Sequence, residues 1–344
     1  MIPFSTLAGI PFLSLRYLAV LCVLVLSCRF VFAAEVRRDE LHKHLYQTVS
    51  NKRLSVEQRQ ALLLTHARND HERAWLIYRW VTHHFKHDKR LAALIGDPGE
   101  QSLNSLFQAG GGSCAVFANV LHRLLQNAGL EVKTIYGVAK GGASASIRNG
   151  MRVNHVWNAV RLGGVWYLMD ATWGAGYVDR DGFHSEPTDL FFMVPPHRAV
   201  LSHFDPTDQH GYQAKLGVTQ EKFQKIADDA TYVAAVGFDA TSILQLQVGR
   251  QARKLVETFN PVSNAFRVIE APLGSRLNKK MVKIRIESAV YEELMVLQGK
   301  RWTPMRKNGV SYSIDYLPTK GELLVMARRE KEHEFEALLG YSVK

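Results

Sequence analysis

Gly110-Gly-Gly-Ser-Cys-Ala-Val-Phe-Ala-Asn-Val-Leu-His-Arg-Leu-Leu-Gln-Asn-Ala128 is a glycine run feeding an amphipathic helix. Val116, Val120, Leu121, Leu124 and Leu125 recur at helical steps and form one apolar stripe. Gly129 stops the helix, and Ser113 is a natural cap, so Cys114 falls at the first helical position. A thiol placed there meets unpaired N–H groups and the positive end of the helix dipole, which favour the thiolate. The glycines before it let the backbone approach a substrate closely. Burial as an inert structural cysteine is the competing reading.

Beyond Gly129 the apolar period changes from helical to two. Val132–Val138 is expected to be a strand, Gly141–Gly150 a polar loop, and Val153–Arg161 and Val165–Ala171 a hairpin around Gly163-Gly164. His155 lies inside the first of these last two strands and Asp170 near the end of the second. If Leu162 pairs with Val165, Trp157 faces Asp170, and His155 and Asp170 become diagonal neighbours on one face. A register change of one residue would separate them. In the expected register a carboxylate orients an imidazole, and the imidazole exchanges a proton with Cys114.

Cys114, His155 and Asp170 are 41 and 15 residues apart. Their order and spacing resemble the transglutaminase-like superfamily. Cys114-Ala-Val-Phe-Ala118 is similar to its cysteine helix start. His155-Val-Trp-Asn-Ala-Val160 and Gly164-Val-Trp-Tyr-Leu-Met-Asp-Ala-Thr-Trp-Gly174 are similar to its histidine and aspartate strands. Leu190-Phe-Phe-Met-Val-Pro-Pro196 and Ser202-His-Phe204 resemble an extension found in the kyphoscoliosis peptidase branch. The resemblance implies an α+β papain-like core and thiol acyl transfer on peptide or glutamine amides, with a protein or peptide substrate and no cofactor. Ala115 departs from the bulky or polar residue common after the cysteine, so the adjacent subsite is unspecified. The Cys114 N–H is the first oxyanion donor by position. Gln101 and Gln108 are candidates for the second, with loop surface as their plainer reading. Trp157 and Trp173 are candidate cleft walls, whereas Trp166 and Asn158 read as structural.

The histidine cluster His83-His84-Phe-Lys-His87 lacks a second ligand pair and reads as surface rather than metal site. His197, His203 and His210, on the irregular stretch 189–228, receive the same reading. Arg79 and Lys86 read as solvated helix edges. No metal is called for.

A leader and two domains are expected over the 344 residues. Residues 1–34 hold the apolar run Leu18–Leu26 and end in Ala33-Ala34, as an export signal does; an uncleaved anchor over 13–34 is the alternative. Cys22 and Cys28 lie in that segment, which would leave Cys114 as the lone thiol of an exported, periplasmic or secreted chain. Residues 35–228 form the transglutaminase-like domain, led in by a helical stretch over 36–68 and a helix over about 70–85. Residues 229–344 read as an Ig-like all-β sandwich, with strands at Ile243–Val248, Phe266–Glu270, Lys280–Glu287, Val310–Tyr316, Glu322–Ala327 and Glu334–Val343. The net charge of +11 is dispersed, with no basic block. That pattern suits an anionic envelope polymer and gives no support for nucleic acid. Membrane contact is expected only through an uncleaved N-terminal segment. Two other functions fit less well. One is an inactive binding module for an envelope or matrix partner. The other is an arylamine acetyltransferase-like enzyme, against which the Trp-rich aspartate strand speaks.

Overall fold

The computed structural model describes residues 37–140, 146–148, 151–208, 212–249, 253–259 and 265–344. The leader expected at 1–34, His210 and most of the loop expected at Gly141–Gly150 lie outside the described residues. Among the described residues no helix is long and apolar enough to cross a membrane.

Two compact units are present, one up to Leu76 and one from Ile77. The first contains α1 (37–49), α2 (Val56–Leu64) and the start of α3 (Asp70–His84). The helical stretch expected over 36–68 is therefore broken in two. Ser55 restarts it with a reciprocal cap, in which its hydroxyl accepts from Gln58 N–H while the Gln58 side chain accepts from Ser55 N–H. Arg37 pairs with Glu72 at 2.7 Å, and His42 packs edge-on against Trp75.

The second unit continues with β1 (Lys86–His87), α4 (Lys89–Ile95), α5 (Leu103–Ala109), β2 (Gly111–Gly112) and α6 (Cys114–Asn127). Then come β3 (Glu131–Ala139), β4 (Ser146–Arg148), β5 (Met151–Val153), β6 (His155–Leu162) and β7 (Val165–Met169). α7 (Ala171–Gly174), β8 (Gly176–Val178), β9 (Phe183–Ser185), α8 (Pro196–Ala199), β10 (His203–Phe204), α9 (Tyr212–Lys215) and α10 (Gln220–Lys225) follow. Four of these strands form an antiparallel sheet in the order β10-β3-β6-β7. α6 lies on this sheet and buries Val116, Phe117, Val120, Leu121, Leu124 and Leu125. That is the apolar stripe read from the sequence.

The hairpin has the expected register. Gly163 and Gly164 have φ of +56° and +81°, the left-handed pair that a two-residue turn between twisted strands needs. Leu162 pairs with Val165, and Asn158 with Met169. β6 starts later than expected because the Asn154 side chain replaces a rung of the ladder. Its amide accepts from Ala139 N–H and donates to Ala139 C=O. His155 is thus the first residue of β6 rather than mid-strand.

The strand expected at Ile243–Val248 is helical. α11 (Ala230–Ala235) and α12 (Ala240–Val248) occupy this region. The buried residues of α12, Ala240, Ile243, Leu244 and Gln247, follow helical spacing, and Asp239 caps it by accepting from Ser242 N–H. Strands then run to the end: β11 (Glu257–Thr258), β12 (Arg267–Glu270), β13 (Arg276–Leu277), β14 (Val282–Glu287), β15 (Tyr291–Gln298), β16 (Arg301–Pro304), β17 (Arg306–Asn308), β18 (Ser311–Tyr316), β19 (Gly321–Arg329) and β20 (Glu336–Val343). β11, β13, β15, β16 and β17 are not among the expected strands. One sheet has the order β11-β20-β19-β15-β16, with β13 also on β20; the other is β12-β14-β18-β17. Ile284, Ile286 and Tyr312 from the second sheet share one apolar cluster with Leu294, Val296, Leu323, Val325 and Leu339 from the first. This is a sandwich core. The same cluster extends back through α12 to Val200.

Candidate functional site

Cys114 is half-buried at the start of α6. Ser113 precedes it in extended conformation but makes no side-chain cap bond, contrary to the expected capping. The positive end of the helix is therefore not met by the Ser113 hydroxyl. The loop before it is pinned by β1, whose Lys86 and His87 pair in parallel with Gly111 and Gly112. A Cβ on Gly111 would stand 2.5 Å from the Lys86 carbonyl oxygen, so only glycine permits this approach.

His155 and Asp170 meet as the hairpin register demands. His155 Nε2 donates to Asp170 Oδ2 at 2.6 Å, and both residues are buried. Burial pushes the imidazole pKa down, but Asp170, by charge and by hydrogen bond, and then Cys114, by hydrogen bond and charge, outweigh it and raise it to about 10. The same ring is therefore linked to the aspartate and to the cysteine. For Asp170, burial raises the carboxyl pKa, yet His155 and then His203 hold it well below the usual carboxylate range.

Asp170 stands just past the end of β7 and caps α7. Its Oδ1 accepts from Thr172 N–H at 2.9 Å and Trp173 N–H at 3.1 Å. This cap explains why the carboxylate is fixed although the strand ends at Met169. Asp170 N–H donates to Phe191 C=O, which ties the turn to the segment that follows β9.

His203 contradicts its reading as a surface histidine. It is 3% exposed, and its Nε2 lies 3.1 Å from the same Asp170 Oδ2. The string Ser202-His-Phe204 was the available signal; what was not visible was that β10 pairs with the end of β3, His203 opposite Ala139. His84 also differs from a surface residue, its Nε2 lying 2.8 Å from Phe107 C=O. His87 is half-buried, and burial, then Lys89 and His155, lower its pKa, which places it within electrostatic reach of the site. His197 is exposed, as expected. Arg79 is not a solvated edge but pairs with Asp189 at 3.5 Å, both largely buried.

The remaining candidates separate. Gln101 gives its amide N–H to Ile95 C=O at 3.3 Å, its own carbonyl accepts from Arg123, and Gln108 is exposed on α5. Trp157 is 3% exposed in a cluster with Ile135, Ala159, Leu168 and Val194. It is core rather than an open cleft wall, with its ring 6.0 Å from that of His155. Trp173 is half-buried, 5.6 Å from His155 and 4.7 Å from His203. Asn158 is structural as read, donating to Ala118 C=O and Thr134 Oγ1.

His155, Asp170 and His203 offer ligand atoms within 4.8 Å of one another, a set that can hold a metal ion. In the structure both imidazoles already spend Nε2 on one carboxylate oxygen. A metal would have to displace both bonds.

Residues 58–171 match the transglutaminase-like superfamily, and a cysteine at a helix start with a buried His–Asp pair on an antiparallel sheet agrees with that class. The chain carries a transglutaminase-like core. Its curated relatives include kyphoscoliosis peptidase, 31% identical over 145 residues both in Mus musculus and in Homo sapiens; each match covers 41% of this chain and 22% of the relative. Hillarin of Drosophila melanogaster is 26% identical over 185 residues, covering 46% of this chain and 20% of that protein. The matched stretch thus spans about a fifth of the length of these relatives.

Proposed function

We propose that this protein is a thiol-dependent acyl-transfer enzyme acting on peptide or glutamine amides. The observation that carries the reading is the single imidazole of His155, bonded to the buried Asp170 and linked to the half-buried Cys114. Kyphoscoliosis peptidase, by its name a peptidase, supports the substrate class.

The Cys114 sulfur, having lost its proton to His155, attacks the amide carbonyl carbon. A C–S bond forms and the carbonyl electron pair moves to oxygen, where the Cys114 N–H at the helix start is placed to donate. Collapse breaks the C–N bond, and the leaving amine takes the proton from His155. Water or an amine then attacks the thioester, gives a proton to His155 and releases the sulfur. Asp170 stays ionised throughout and keeps the imidazole in one tautomer and orientation.

The test is the rate of Cys114 alkylation by iodoacetamide against pH, in the wild type and in His155→Ala. The reading expects fast modification well below the pH at which a free thiol reacts, lost in the variant. Free-thiol behaviour in both proteins would overturn it. Incubation of the active protein with a peptide library, with and without a primary amine, then separates hydrolysis from transamidation.

A further inference from the structure

Asp170 is held by both of its oxygens. Oδ1 serves α7, while Oδ2 accepts from His155 at 2.6 Å and from His203 at 3.1 Å. A carboxylate oxygen has two lone pairs, so both donors fit at once. Nothing local brings His203 there. It comes from β10, separated from β6 by β3, and follows Asp170 by 33 residues.

The protonation of His203 is constrained by its surroundings. Burial, the largest influence, lowers its pKa against the opposing pull of Asp170, and the charge of His155 lowers it further. A neutral imidazole that donates Nε2–H must accept at Nδ1. Nδ1 lies 2.8 Å from Ser202 Oγ, so the Ser202 hydroxyl donates to it. Trp157, Trp173 and Phe191 surround the ring and leave it no other polar partner among these contacts. Ser202, His203, Asp170, His155 and Cys114 form one connected line. Ser202 is not a second nucleophile, because at 3% exposure it has no open face for a substrate.

We infer that Ser202 and His203 are a positioning pair for Asp170: His203 fixes Oδ2 against His155 and keeps the buried carboxylate ionised, and Ser202 fixes the tautomer of His203. The inference rests on the acyl-transfer reading for its consequence in catalysis, but not for the hold itself. Hydrogen bonds to the charged form of a carboxyl favour that form. Removing one raises the Asp170 pKa and frees Oδ2 to leave His155. The thiolate–imidazolium pair then forms over a narrower range, and its acid limb moves to higher pH.

Two measurements on the full chain test this, across wild type, His203→Phe, His203→Gln and Ser202→Ala. The first is the pH profile of Cys114 alkylation. His203→Phe should slow it about tenfold at pH 6 and move the acid limb up by about one pH unit. His203→Gln, whose amide can still donate to Oδ2, should recover most of the loss, and Ser202→Ala should lie between. The second is the titration of the His155 imidazole by nitrogen NMR, which does not use the thiol. Its midpoint should fall in His203→Phe and return toward wild type in His203→Gln.

A folded His203→Phe with the wild-type His155 midpoint and the wild-type alkylation profile overturns the inference. So does a uniform slowing with no shift of the limb and no rescue by glutamine, which would mean that the ring only fills space. If His203→Phe does not fold, His203→Ala takes its place, and a wild-type alkylation profile with an unshifted His155 midpoint in His203→Ala, together with an unchanged profile in Ser202→Ala, overturns it. A wild-type thiol that alkylates as a free one sinks the acyl-transfer reading alone, since the His155 midpoints still decide the role of His203.

Discussion

The sheet β10-β3-β6-β7 and the C-terminal sandwich bury different chemistry. The sandwich packs Ile284, Ile286, Leu294, Val296, Leu323 and Val325 against one another, and area removed from water holds it together. The four-stranded sheet buries His155, Asn158, Asp170, Thr172, Ser202 and His203. Burying an ion pair is often no better for stability than apolar packing of the same volume, while breaking one is costly. On the proposed acyl-transfer function, the sheet that keeps such a network serves a chemical task, whereas the sandwich is organised around packing. The two regions should therefore respond to substitution in different currencies: reactivity in the first, stability in the second.

The largest expected effect tests that division at its centre. His155→Ala should lower acyl transfer by about a thousandfold or more, the scale seen when a triad member is removed, and leave the sandwich intact by circular dichroism. Retention of more than a tenth of the activity would break the comparison. Asp170→Asn should follow, with about 3–5 kcal/mol lost from unfolding stability because a buried imidazolium loses its partner. The pH dependence of stability sharpens this. His155 has a pKa raised from 6.5 to about 10, so its contribution is full below about pH 6.5 and is lost as pH rises through about 10. Asp170 is shifted the other way, so its contribution is present above its ordinary value near 3.8 and is lost as pH falls below it. Urea melts from pH 6 to 10 should show the wild type losing stability with rising pH and Asp170→Asn losing much less.

The sandwich supplies the converse case. Leu323 is fully buried between the sheets. Leu323→Ala should cost about 2–5 kcal/mol through lost burial and a residual cavity, with the alkylation profile of Cys114 unchanged. A shift of that profile would mean that the sandwich core is coupled to the site and is not packing alone.

The same division decides what could be read from the sequence. Cys114, His155 and Asp170 were legible because each sits on an element fixed by local pattern: a glycine run, a helical stripe, and a hairpin whose two-residue turn dictates pairing. His203 was not legible because its place depends on β10, two residues long, pairing with the far end of β3. No periodicity exists in two residues. Ile243–Val248 misled for the opposite reason. Leu244, Leu246 and Val248 alternate, while the buried Ile243, Leu244 and Gln247 follow a helical period, and the Asp239 cap, the signal that separates the two, lies just outside the stretch read as a strand. Gln101 and Gln108 rested on side-chain chemistry alone, with no local pattern to place either amide against the thiol.

The smallest expected effect asks whether the turn or the sheet sets the distance between His155 and Asp170. Gly163 has φ of +56°, and an added Cβ would meet nothing within 4 Å. Gly163→Ala therefore carries a backbone penalty of about 1 kcal/mol and no clash. If the turn alone held the register, the strained hairpin would slip, every side chain of β7 would change face, and fast alkylation of Cys114 would vanish with it. β6, however, is also held by β3 from Glu131 opposite Arg161 to Gly137 opposite His155, and Asp170 is held by its own cap and by Phe191 C=O. These bonds do not pass through the turn. The expected outcome is a midpoint lowered by the equivalent of about 1 kcal/mol with an unchanged alkylation rate, because the glycine pair makes the hairpin easy to form while the surrounding sheet determines where its ends meet.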